Sequence, residues 1–142
     1  MALGLKPGSV VIECGTGSAS FSHHILRAIA PHGHLYTFEF HKERAEAACK
    51  ELRSHGLGHD LVDVIAEVDV TVNGFGSQNR LVSAVFLDLP NPWSAIVHAK
   101  KTLSPQVSFV DNFKGGRICT FSPCIEQVQK AVSELRSSNF TG

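Results

Sequence analysis

The 142-residue chain has no apolar run approaching the roughly 20 residues that a membrane-spanning helix needs. It has no surplus of charge either: 13 Lys and Arg balance 13 Asp and Glu. A protein that grips nucleic acid unaided is usually basic, so any phosphate contacts here must come from a local patch or from a partner. Four cysteines are present, Cys14, Cys49, Cys119 and Cys124, and no two are spaced Cys-x-x-Cys. The eight histidines do not fall at zinc-finger spacing. No metal is therefore expected. His23, His24 and His41 read as surface or capping residues, and the thiols read as reduced, cytosolic or nuclear ones. No basic leader precedes an apolar segment, so no signal peptide is expected. Asn139-Phe140-Thr141 matches a glycosylation acceptor that an intracellular chain would not use.

Hydrophobic residues make up 43% and charged residues 18%, enough to build one buried core in a single domain spanning residues 1–142. Apolar runs and helical periodicities alternate along it. Strands are predicted over Ser9 to Glu13, His34 to Phe40, Leu61 to Ile65, Leu81 to Leu87 and Gly116 to Phe121. Helices are predicted over Ser20 to Ala30, His41 to Ser54, Trp93 to Leu103 and Ile125 to Ser137. In the last of these, Ile125, Val128, Val132 and Leu135 form the apolar stripe. Regular alternation predicts an α/β fold, a doubly wound and mostly parallel sheet with helices on both faces. Its expected order is 3-2-1-4-5. Ser104 to Lys114 has no place in the alternation and reads as an insertion.

The organising stretch is Val10-Val11-Ile12-Glu13-Cys14-Gly15-Thr16-Gly17-Ser18-Ala19-Ser20. A β-branched run ends in an acid, a Gly-x-Gly bend follows, and a helix begins. Open parallel sheets bind nucleotide-like ligands at such bends, and the glycines permit close backbone approach. Glu13 would repel a pyrophosphate. An acid there suits a cationic or hydroxyl-rich ligand, and S-adenosylmethionine, with an ammonium, a sulfonium and a ribose, is one. Glu39 lies about 20 residues beyond the bend, where an acid often holds ribose hydroxyls. A carboxylate can accept from both hydroxyls at once. Ser18 and Ser20 are candidate helix caps. Asp88 ends the fourth strand, across the crevice from Gly15 to Ser18 in the expected sheet order.

Several stretches together resemble one family, the catalytic subunit of eukaryotic tRNA adenine-58 N1-methyltransferase, a class I S-adenosylmethionine-dependent methyltransferase. They are Leu5 to Val11, Glu13 to Ser18, Gly33-His34-Leu35 with Glu39-Phe40-His41 and Arg44-Ala45, Val85 to Pro90 with Pro92-Trp93, and Gly116 to Cys119 with Phe121 to Gln129. The glycine bend is general to such enzymes. The aspartate–proline–tryptophan turn and Ser122-Pro123-Cys124-Ile125-Glu126-Gln127-Val128-Gln129 are more specific.

The resemblance implies S-adenosylmethionine as cofactor and N1-methyladenosine in tRNA as product. It also implies a nuclear location and a heterotetramer with a non-catalytic homologous subunit that supplies much of the tRNA grip. The cofactor residues it implies are Glu13, Gly15, Thr16, Gly17, Ser18, Ser20, Glu39, Arg44, Asp69, Val70 and Asp88. Glu13 would lie near the methionine ammonium. Asp69 would accept from the adenine amino group and Val70 would offer its N–H to a ring nitrogen, although an ordinary loop acid would explain Asp69 as well. Arg44 reads equally as an exposed helix charge. Asp88 is the expected catalytic residue, orienting the target base by accepting from its exocyclic amine. Trp93 reads as a buried aromatic at a helix start, with stacking on the target base as the alternative. Cys124 reads as a packing residue. The family's N-terminal β-rich domain and its two last strands have no counterpart in the sequence. The chain alone is therefore expected to bind cofactor without methylating tRNA. An assembly role is the rival reading. A Rossmann dehydrogenase is disfavoured, because the third glycine is missing at its spacing and Glu13 precedes the bend.

Overall fold

The computed structural model describes residues 4–76, 82–103, 116–120 and 125–138. The suspected insertion at 104–114, Cys124 and the Asn139 acceptor pattern lie outside them. Strand β1 (Val10–Cys14) is buried along its whole length, Glu13 included, as the lack of alternation in Val10-Val11-Ile12 leads one to expect of a strand covered on both faces. Strands β2 (His34–Glu39), β3 (Val62–Ala66), β4 (Ala84–Leu87) and β5 (Arg117–Thr120) join it in a parallel sheet of order β3-β2-β1-β4-β5. This is the order expected from the alternation. His34 and Leu87 bound their strands as read in the sequence, the other strand ends shift by one to three residues, and Phe121 lies outside the described residues. Leu81 lies outside the described residues, and Val82 makes only a lone bridge to Leu103 before β4 begins.

Alternation of side chains along the strands builds two cores. Val11, Leu35, Val62 and Ala84 face helices α1 (Ser20–Ile29) and α2 (Lys42–Ser54), meeting Ile25, Leu26, Ile29, Ala48 and Leu52. Val10, Ile12, Cys14, Val85 and Leu87 point the other way. They meet Val70 of α3 (Val70–Asn73), Ala95, Ile96 and Ala99 of α4 (Trp93–Thr102) and Ala131 of α5 (Ile125–Ser137).

Two expectations about the helices need correction. The four-residue α3 occupies a stretch for which no helix was predicted; one turn is too short to show a period. The inward face of α5 is centred on Ala131 and Leu135, and Val128 and Val132 are 42% and 38% exposed on its flank. Trp93 is half-buried against the second core, with Lys130 Nζ 5.0 Å from its ring centroid, which is the packing role expected of it.

Candidate functional site

All five strands run parallel, so their carboxyl ends share one edge of the sheet, and a cleft of about 570 Å³ opens there. The volume is that of a small-molecule site. Cys14, Gly15 and Gly17 form one wall. Glu39, Phe40, His41 and Arg44 form the second, Asp69 to Thr71 the third, and Asp88 to Asn91 the fourth.

The bend after β1 closes tightly on the neighbouring strand tips. Gly15 N donates to Phe38 O at 2.9 Å, and Asp88 N donates to Cys14 O at 3.0 Å. Gly15 has a φ of +89°, and a Cβ there would lie 2.2 Å from the Asp88 carbonyl oxygen. Only glycine fits both the backbone angle and the space.

Glu39 ends β2 and turns its carboxylate toward this bend. One oxygen accepts from Gly17 N at 3.3 Å and the other from His41 N at 3.1 Å. Arg44 Nη1 stands 4.0 Å away, on a side chain 61% exposed. Glu39 is only 5% exposed, so it is held rather than solvated. Each carboxylate oxygen has two lone-pair sites. One bond on each leaves capacity for two further donors from the cleft.

Asp69 caps α3. Its Oδ1 accepts from Thr71 N at 3.0 Å and from Thr71 Oγ1 at 2.6 Å. Val70 is the first residue of that helix, so its N–H has no intrahelical acceptor and its side chain is buried below. Asp88 is exposed just beyond β4, on a turn stiffened by Pro90 and by the buried Pro92.

Glu13 is placed differently from its expected position. It is 1% exposed and is not part of the cleft wall. Alternation turns it toward α1. There Ser22 Oγ donates to Oε2 at 2.5 Å and Thr37 Oγ1 donates to the same oxygen at 2.8 Å. Thr16 Oγ1 lies 2.6 Å from Thr37 Oγ1. The Thr37 proton is committed to Glu13, so Thr16 donates in this pair while the carboxylate is ionised. Burial pushes the Glu13 pKa up to about 7 against the pull of its two hydroxyl donors, with the Asp88 charge adding to the rise. Glu13 and Thr16 therefore brace the bend from beneath.

Ser18 and Ser20 also depart from expectation. The α1 cap is Ala19, at φ 65°, and no side chain bonds there among the described residues. The two serines hydrogen-bond each other at 3.0 Å on the surface, outside the cleft wall. Sequence reasoning missed Phe40, His41, Thr71 and Asn91 as lining residues. It also missed Ser22 and Thr37 as the partners of Glu13. Ser22 carried a signal, since it lies in the buried stripe three and four residues before Ile25 and Leu26.

Residues 1–142 match the model of the tRNA methyltransferase complex GCD14 subunit. The chain belongs to that family. Within the GCD14 family, it is similar to the tRNA (adenine(58)-N(1))-methyltransferase catalytic subunit TRM61 of Cryptococcus neoformans, 45% identical over 99% of this chain and 30% of the relative. The like-named subunit of Dictyostelium discoideum is 44% identical over 97% of this chain and 42% of the relative. The chain thus spans well under half the length of these relatives. An S-adenosylmethionine-dependent O-methyltransferase from Thermotoga maritima superposes with a TM-score of 0.81 at 30% identity, covering 96% of this chain and 46% of that one. The GCD14-family sheet is therefore of the methyltransferase type, and its cleft lies at the strand ends where such folds place their ligands.

Proposed function

We propose that this chain is the cofactor-binding and catalytic core of a tRNA (adenine-58-N1)-methyltransferase, with S-adenosylmethionine as its methyl donor. The observation that carries the reading is the Glu39 carboxylate, fixed by two backbone N–H groups beside a glycine bend and with acceptor capacity turned to the cleft. That arrangement suits a vicinal diol. It also resists a pyrophosphate, because Glu39, Asp69 and Asp88 all line the same cavity.

Bound S-adenosylmethionine would supply an electrophilic methyl group on a sulfonium. In this reading Glu39 accepts from the ribose hydroxyls, Asp69 and the Val70 N–H meet the adenine edge, and Gly15 and Gly17 admit the methionine part. Arg44 holds the far side of Glu39. Adenine N1 carries a lone pair in its neutral form, so methylation there needs no base. Orientation is the main requirement. Asp88 meets it by accepting from the exocyclic amine of the target, which holds N1 in line and offsets the positive charge that develops on the ring.

The balanced net charge is consistent with a second subunit supplying much of the tRNA contact, as the family description of a complex suggests. A heterotetramer and a nuclear location belong to the same proposal. The relatives are named as catalytic subunits, which favours catalysis over an assembly role. Calorimetry tests the binding step: S-adenosylmethionine is expected to bind and NAD is not. In the assembled enzyme, Asp88→Ala is expected to keep cofactor binding within about threefold and to lower turnover by roughly a hundredfold or more. Unchanged turnover would remove Asp88 from the mechanism.

A further inference from the structure

Away from the cleft, α1 and α2 bring together three side chains that chain order keeps apart. His23 lies in α1, Glu51 lies near the end of α2, and His55 is the C-cap of α2. Glu51 Oε1 lies 3.9 Å from His23 Nε2 and 3.6 Å from His55 Nδ1. All three ligand atoms fall within 4.8 Å of one another. The two imidazoles meet edge to face, with centroids 4.8 Å apart. His23 Nε2 is sealed from solvent and has no hydrogen-bond partner among the described residues. A buried polar nitrogen without a partner is costly to keep, so each such atom calls for an explanation.

We propose that His23, Glu51 and His55 form a site for a divalent first-row transition metal, for which Zn2+ is the probe. Two imidazoles and a carboxylate are a donor set such ions accept, with a fourth position left for water. Tetrahedral coordination at ordinary Zn–N and Zn–O lengths holds ligand atoms about 3.4 Å apart. The two separations from Glu51 exceed this by about half an ångström or less. Glu51 and His55 have side chains 50% and 57% exposed, free enough to rotate into place. His55 Nδ1 also lies 2.9 Å from the Glu51 carbonyl oxygen, a hydrogen bond that an ion at Nδ1 would replace, with the ring proton then carried on Nε2. The orphaned His23 nitrogen gains its partner, and the ion ties α1 to the end of α2. Sequence spacing hides the site, because Glu51 and His55 are four apart on one helix and His23 comes from another. The expectation of no metal rested on that spacing.

The test is calorimetric titration of Zn2+ into the untagged full chain at neutral pH, with thermal melts in parallel. One equivalent is expected to bind, and Zn2+ is expected to raise the melting temperature. Glu51→Gln and His55→Gln change exposed residues outside the cleft wall, so both variants should fold. Each is expected to weaken Zn2+ binding by roughly tenfold or more and to abolish the Zn2+-dependent shift in melting temperature. Absence of binding by the wild-type chain, or binding by the cysteines that survives both substitutions unchanged, would overturn the site.

Discussion

Glu13 stands in β1 opposite Thr37 of β2, and Glu39 ends β2 two residues further on. The separation is only about 7 Å of strand, yet the two acids sit in different chemistry. Glu13 is enclosed beneath α1, and among the described residues its carboxylate is met by the rotatable hydroxyls of Ser22 and Thr37. Glu39 stands at the cleft, where backbone N–H groups fixed by the fold face it. Both are almost fully buried, so exposure does not separate them. What separates them is depth along the strand and the kind of donor. The lower acid supports the bend and the upper one turns its remaining acceptor capacity to the cleft.

The glycine bend between them is where this comparison breaks most easily. Gly15→Ala would force a side chain onto the Asp88 carbonyl at a backbone angle that alanine resists. A loss of about 3 kcal/mol or more is expected in urea denaturation, with cofactor binding lost too. Retained stability would mean that the strand tips can part cheaply. Glu13 sharpens the comparison through pH. Its folded pKa of about 7 lies above the ordinary 4.5, so the folded chain holds this proton more tightly than the unfolded chain. The stabilisation is complete below about pH 4.5 and is lost as pH rises to about 7. Its ceiling is about 3 kcal/mol. Glu13→Gln keeps a neutral partner for Ser22 and Thr37. The wild-type chain is therefore expected to lose stability relative to this variant across that window. A difference independent of pH would show that Glu13 is ionised throughout.

Sheet order was legible because strand and helix patterns alternate along the chain. Glu39 and Asp88 were legible for a related reason, since each ends a predicted strand and must emerge at the same edge, whereas Asp69 was pointed to by the family resemblance alone. The role of Glu13 was not legible. Its partners, Ser22 and Thr37, lie 9 and 24 residues away, and hydroxyl residues carry no period. The capping role read for Ser18 and Ser20 failed because the chain enters α1 through Ala19 in a left-handed conformation. The flank position of Val128 and Val132 depended on where α5 settles against α4, a tertiary choice that periodicity narrows without deciding.

Glu39→Ala removes the acceptor proposed for the ribose. A loss of about 2 kcal/mol in S-adenosylmethionine affinity is expected, against less than about 0.5 kcal/mol for Glu13→Gln at acidic pH. Equal losses would erase the distinction between supporting and presenting acids. Arg44→Ala is the mildest probe. Its guanidinium reaches Glu39 only at 4.0 Å, on a side chain 61% exposed to screening solvent. The Glu39 carboxylate keeps both backbone donors without it. Affinity is therefore expected to fall by less than about 1 kcal/mol, and added salt should shrink the difference further. A loss as large as that of Glu39→Ala, insensitive to salt, would instead mean that Arg44 touches the ligand itself. The second wall of the cleft would then be built around the cation as much as around the acid.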